Sequence, residues 1–361
     1  MTMQKRIIWF SLPLLALIVF GLTKVFKYYP FIAEQFYSQK LYPELASVIS
    51  SVSRLIPFSL ADLFYLLLIL TAVIVVLLLI IRKVTYSFAG VFVLNVLAVV
   101  YIFFYLLWGF NYFREDINTR LAIKSRLADP EEFTHVLRQL IKATNASWYS
   151  YEGFSKSATD SLVENSFRQL APVLKLDYPM GSRRAKYITF SGFFAQAGIS
   201  GYYGPFFNEV HINRHLLPEE YAFVLAHEKA HQFGVTGEAE ANFIAWLVCT
   251  HSNSNQLQYA ANLVALRYFL NHAARHEQLP EIIKTIDKRV IEDIHKIHRH
   301  WMELRNEKVE KVASKVNDAY LKTNQVEQGI RDYTGIIKHI MDYSLDTAFQ
   351  ESIDAYSFPG H

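Results

Sequence analysis

Five residues carry the chemistry of this chain: His227, Glu228 and His231, then Glu238 and Glu240, in the stretch LAHEKAHQFGVTGEAEAN at Leu225–Asn242. On an α-helix, positions four apart share one face, so two imidazoles at 227 and 231 can reach one metal ion. Glu228 sits about a quarter-turn round, beside the place a metal-bound water would occupy. Two histidines, a carboxylate base and a candidate third carboxylate describe a zinc site with an open fourth position. Zinc lowers the pKa of water there, and Glu228 can accept its proton and return it to a leaving amine. The reaction class is metal-assisted amide hydrolysis. The alternative is a zinc-binding, non-catalytic sensor or scaffold.

The elements around the motif must position it. Pro218, Glu219 and Glu220 make a helix start, because proline suits the first turn and carboxylates favour the positive end of the dipole. Phe223, Val224, Leu225, Ala226 and Ala230 carry the histidines into a core, where imidazoles need partners. Lys229 points away from them and must find solvent or a carboxylate, Glu240 being one choice. Gly234 and Gly237 suit a helix stop and a sharp turn, so the next helix starts near Glu238. Glu238 and Glu240 compete as third ligand. Positions 238 and 242 share a face, while 240 lies about 200° from 238, which favours Glu238 if Asn242 braces a zinc histidine.

The front of the chain is membrane-like. Of 361 residues 52% are hydrophobic and 19% charged, and the charge deficit is concentrated before Arg114. Uncharged runs predict three transmembrane helices at about 7–25, 61–81 and 86–110, each near the length a bilayer needs. Lys24, Phe26 and Tyr28-Tyr29 follow the first run where a cleaved signal peptide would carry small residues. Residues 1–113 are therefore expected to form a membrane anchor, and 114–361 one further domain. Lys5-Arg6 ahead of the first span favours an inside N-terminus, which puts the second domain outside the cytoplasm of a bacterial inner membrane. The single Cys249 excludes a disulfide framework and a cysteine zinc cage. A net charge of +3, without basic clusters interleaved with aromatics, argues against nucleic acid as a partner.

Within the second domain, helices are expected from Asp129 and over Asp160–Leu174. Strands are expected within Ala185–Gly192 and Phe206–Asn213, joined by a glycine-rich turn region. The strand at Glu209–Asn213 stands where zinc peptidases place an edge strand, so Glu209, His211 and Asn213 are candidate substrate-binding residues, pairing with an extended peptide. Pro280–Lys322 reads as one long charged helix, with Val326–Tyr343 folding back on it. The histidines at 295, 298 and 300 alternate with Lys296 and Arg299 and read as a solvated face.

At Glu238–Asn242 the chain resembles the gluzincin peptidases. The resemblance implies that a glutamate of the following helix is the third ligand and that the residue one turn later orients a histidine. Here Asn242 stands where aspartate is usual. Pro57-Phe58-Ser59, GYYGPFFNEVHIN, HEKAHQFG with EAEANF, YLKTN and GIRDY also resemble an uncharacterised bacterial family of three-span membrane proteins, over nearly the whole chain. That resemblance implies a zincin-like, mostly α, α+β domain with a small sheet behind the α-helical membrane anchor. It also makes Tyr333 and Tyr320 candidates for holding a developing oxyanion. Zn2+, a peptide or protein substrate and the lipid bilayer are the expected cofactor and partners.

Overall fold

The computed structural model describes residues 3–177, 183–275, 278–324 and 326–357, and is mostly helical with one small sheet. The chain divides into two compact units. The first is built mainly from Met1–Glu115 together with the short segment Gly204–Glu209.

Four helices dominate the first unit: α1 (Met3–Tyr28), α2 (Tyr42–Ser53), α3 (Leu60–Ile80) and α4 (Tyr86–Leu107). Trp9–Tyr28, Leu60–Ile80 and Tyr86–Leu107 are long and apolar enough to cross a membrane. Their faces are largely uncovered by protein; the most apolar window of α3 has no buried residue, as a lipid-facing helix requires. Ser59 caps α3 by accepting from Asp62 N, and Thr85 caps α4 by accepting from Phe88 N. The third span ends at Leu107, three residues short of the expected 110. Trp108 leaves the helical region, and Gly109 packs so tightly against the Phe104 ring that a Cβ would lie 2.7 Å from it. Asn95 Nδ2 donates to the Trp9 and Val91 carbonyls (3.0 and 2.8 Å), tying α4 to α1. A π-helical stretch, Ala33–Leu41, precedes α2 and buries Glu34 against Arg114 in a two-pronged ion pair (2.7 and 2.8 Å).

The segment 204–209 joins this unit through aromatic packing and capping. The Phe206 ring lies 4.7 Å from Phe64 and 6.3 Å from Phe104, centroid to centroid. Glu209 accepts from the Leu60 and Ala61 amides (3.0 and 3.1 Å), satisfying the first turn of α3. Asn208, at φ +52°, donates to the Tyr42 hydroxyl (3.2 Å).

The second unit starts at Asp116. Its helix α5 (Pro130–Ala146) starts where the sequence predicts, with a capping box of Asp129 and Glu132. Helix α6 (Lys156–Leu170) starts one turn earlier than expected because Ser155 caps it. Three short strands follow, β1 (Lys186–Tyr187), β2 (Gly201–Gly204) and β3 (Glu209–Ile212), in the order β1-β3-β2. β1 runs parallel to β3, with Lys186 opposite His211 and Tyr187 opposite Ile212. β2 occupies the stretch expected to be turn. The four-residue connection from β2 to β3 permits only an antiparallel pair. β3 is therefore the central strand, and its expected place at the sheet edge is corrected: both sides of its ladder are already used.

Helices α7 (Pro218–Gln232), α8 (Glu238–Thr250) and α9 (Asn255–His272) form the core of this unit. Leu225, Ala226, Ala230, Phe243, Leu247, Tyr259 and Leu266 are fully buried among them. The long helix expected over 280–322 is broken. Helix α10 (Lys288–Leu304) stops where Arg305 turns extended, and Asn306 starts α11 (Glu307–Thr323) by accepting from the Lys308 and Val309 amides. Beyond it, the 3-10 segment Gly329–Gly335 leads into α12 (Ile336–Ser344).

Candidate metal centre

The end of α7 is built by its local sequence. Gly234 takes φ +79°, the left-handed conformation that only glycine adopts without strain. Its amide bonds the His231 carbonyl and the Val235 amide bonds the Ala230 carbonyl, a Schellman closure. The turn brings the Val235 carbonyl 2.7 Å from His231 Nδ1, so this nitrogen donates its proton and Nε2 faces inward. Gly237 then opens α8 directly with Glu238.

Four side chains meet there. Nε2 of His227 and Nε2 of His231 lie 3.1 Å apart, and Glu238 Oε2 lies 3.2 Å from the first and 3.4 Å from the second. The ligand-type atoms of His227, Glu228 and His231 fall within 4.8 Å of one another. All four residues are 5–8% exposed. A tetrahedral zinc with ligands at about 2.0–2.1 Å needs those atoms about 3.3 Å apart. The observed spacing fits. Glu238 Oε2 and His227 Nδ1 are buried without a hydrogen bond of good geometry among the described residues, and a carboxylate oxygen held between two imidazoles needs a cation, proton or metal.

Electrostatics agree. Burial alone would lower His231, but the Glu238 charge and hydrogen bonding lift it to about 9. Burial would raise Glu238, yet the two histidines hold it well below the usual carboxylate range. Glu228 is raised to about 7, chiefly by burial, with the two imidazoles pulling against that shift.

The other residues singled out by sequence fall in different places. Tyr333 lies over His227, ring centroids 6.4 Å apart and nearly parallel. Burial and the Glu238 carboxylate push its hydroxyl well above its ordinary pKa, so it stays protonated. Tyr320 is 41% exposed on α11. Asn242 Nδ2 donates to the Tyr333 carbonyl (3.2 Å), and its side chain also bonds Tyr268. It therefore holds the Tyr333 segment and leaves His227 Nδ1 without its brace. Glu240 accepts from the Ile117 amide and from Arg120 (2.8 and 2.7 Å), and the buried Lys229 pairs with Glu164 rather than Glu240.

The three candidate substrate-binding residues, Glu209 and His211 of β3 and Asn213 just beyond it, each contact other parts of the protein. Glu209 caps α3, as described. His211 is fully buried and stacks on Tyr202, centroids 4.3 Å apart. Asn213 donates to the Ser191 and Ile199 carbonyls (3.0 and 2.9 Å) and accepts from the His215 amide. A central strand cannot offer its ladder to a peptide, so the substrate-edge assignment moves off β3.

Two residues that sequence reasoning passed over frame the site. A Cβ at Gly201, the first residue of β2, one of the two edge strands, would lie 2.9 Å from Glu228 Oε1 and 2.9 Å from the His211 carbonyl. Asp332 accepts from the Ala239 amide (3.0 Å), capping α8 from 93 residues away and docking Tyr333 beside Glu238. The GIRDY sequence was the available signal for Asp332.

Residues 37–341 match the family model described as Protein of unknown function (DUF3810). The chain belongs to this family. The match covers the last two candidate spans, the sheet, the His227–Glu238 centre and the Tyr333 segment of this DUF3810 chain. No curated protein and no solved structure matches it.

Proposed function

We propose that this DUF3810 chain is a membrane-anchored, zinc-dependent metallopeptidase with a zincin-like second unit on the extracytoplasmic side. The observation that carries the proposal is the convergence of His227 Nε2, His231 Nε2 and Glu238 Oε2 at 3.1–3.4 Å with Glu228 buried beside them. His227, His231 and Glu238 would hold the zinc. Bound there, zinc would polarise the scissile carbonyl and acidify the attacking water. Glu228 would take that water's proton and pass it to the leaving amine. Tyr333, kept neutral, is the donor for the developing oxyanion. β2, an edge strand of the sheet and next to Glu228 at Gly201, is the strand along which an extended peptide would pair.

Zinc content of the purified full chain and cleavage of a peptide library test this together. Glu228→Gln keeps every ligand and removes the base, so it should retain zinc and lose hydrolysis by at least about a hundredfold. Equal activity in the variant and the parent refutes the mechanism. A parent that binds zinc stoichiometrically and cuts nothing supports the non-hydrolytic sensor or scaffold instead.

A further inference from the structure

Within the second unit, α5, α8, α9 and α12 surround a cavity of about 350 Å³. The end of α8 supplies Trp246 and His251, α9 supplies Gln258 and Asn262, and the last turn of α12 supplies Tyr343. Trp246 lies eight residues along α8 from Glu238, about 12 Å of helix, so the cavity is separate from the metal centre.

Charge is missing from its walls. No carboxylate, ammonium or guanidinium lines it among the described residues. The Asp354 side chain comes 3.7 Å from His251 Nε2, but it is 63% exposed and outside the lining. His251 Nδ1 donates to the Leu247 carbonyl (2.9 Å), so Nε2 accepts from the Tyr343 hydroxyl (3.0 Å). Burial holds this imidazole below its ordinary pKa, and it is neutral at pH 7. An ion entering here would lose its water and find no partner.

Neutral donors and acceptors are left over instead. Trp246 Nε1 is buried and has no acceptor among the described residues. Gln258 commits one N–H to the Ser252 carbonyl (2.6 Å) and Asn262 one N–H to the Ser147 hydroxyl (3.4 Å). Each carboxamide keeps a C=O and a second N–H. That fork matches two adjacent hydroxyls, one donating and the other accepting. The shape narrows the class further. The Trp246 and Tyr343 rings meet at 78°, centroids 5.4 Å apart. Walls this close to perpendicular cannot sandwich a flat base, whereas a pyranose chair presents C–H groups on its faces and on its rim.

We propose that this cavity binds a neutral sugar ring, with the Gln258 and Asn262 amides holding its hydroxyls and Trp246 Nε1 donating to one of its oxygens. The site is independent of the metal centre and of the reaction assigned to it.

The test is saturation-transfer NMR of the ligand, with full-length protein in phosphatidylcholine nanodiscs, which carry no sugar, and empty nanodiscs as the blank. The probes are glucose, galactose, mannose and N-acetylglucosamine, with glucuronate as a charged sugar and uracil as a flat neutral ring. The expected result is a Kd of about 10 mM or tighter for at least one neutral sugar, and binding at least about tenfold weaker for glucuronate and uracil. Gln258→Leu removes one fork and Trp246→Phe one donor, and each should weaken that sugar by about tenfold. Gln258 is only half-buried, so its replacement reads the site even where Trp246→Phe unfolds the protein. Three results each overturn the proposal and leave a hydrated groove: no neutral sugar bound, glucuronate or uracil bound as tightly as the sugars, or an unchanged Kd in Gln258→Leu.

Discussion

Gly201→Ala isolates the contact between the sheet and the base. Gly201 does not use the left-handed backbone region, so alanine brings no conformational penalty of its own. The effect is steric. The new Cβ would stand 2.9 Å from Glu228 Oε1, 3.0 Å from Glu228 Cγ and 2.9 Å from the His211 carbonyl. The carboxylate is buried and the carbonyl belongs to the central strand, so neither neighbour is the loose end of a flexible side chain. Relief requires β2 to shift or Glu228 to rotate. Overpacking of this kind costs about 1–3 kcal/mol. In a unit of roughly 250 residues each kcal/mol lowers Tm by about 2–4 °C, so a fall between about 2 and 12 °C is expected. A displacement of the base near 1 Å lowers turnover by about a hundredfold. The three proposed ligands sit on α7 and α8 and are untouched. The assay pairs differential scanning calorimetry with zinc content and cleavage of whichever library peptide the parent cuts. Parental Tm and parental rate together would refute the packing argument; loss of zinc would refute the separation of the base from the ligands.

Three further outcomes follow from the same geometry. Glu238→Ala should lose zinc, while Glu240→Ala should keep it and be destabilised by roughly 3 kcal/mol because Arg120, 3% exposed, loses its carboxylate; the reverse pattern in metal analysis overturns the helix register. Lys229→Ala should destabilise by about 3 kcal/mol by leaving Glu164 without its buried cation, and Lys229→Met with Glu164→Leu should recover most of that loss, measured by chemical unfolding. In metal-free protein, His231 is raised from 6.5 to about 9, so its contribution is complete below pH 6.5 and disappears as pH rises through 9. A protonated imidazole cannot ligate, so zinc affinity should climb over that window by up to about tenfold per pH unit, and a flat calorimetric profile would contradict the pairing with Glu238.

Much of the centre was readable because it depends on local periodicity. A spacing of four puts His227 and His231 together, and the stop at Gly234 with the restart at Gly237 sets the register of Glu238. The spans were readable for the same reason, as runs without charge. The sheet was not. The glycines of GYYG look like turn residues, and nothing local reveals that they form the outer strand or that β3 lies between two partners. Strand order is a long-range property, set by which backbone edges meet. The break at Arg305–Asn306 was legible in part: the apolar spacing skips from Leu304 to Val309, and Asn306 is a residue type that starts helices. Lys229 found Glu164, 65 residues earlier, because a buried ammonium takes the carboxylate that packing brings to it.

The cap that Asp332 places on α8 also sets an order of events during synthesis. His227, His231 and Glu238 emerge within twelve residues of one another and need only α7, the Gly234 turn and the first turn of α8 to meet. Tyr333 and Asp332 follow some ninety residues later. At roughly 5–20 residues per second, the nascent chain carries the three proposed ligands for about 5–20 seconds before the Asp332–Tyr333 segment is made. On the proposed zinc reading, a chain truncated after α9 should still capture zinc, and capture it faster than the finished protein does.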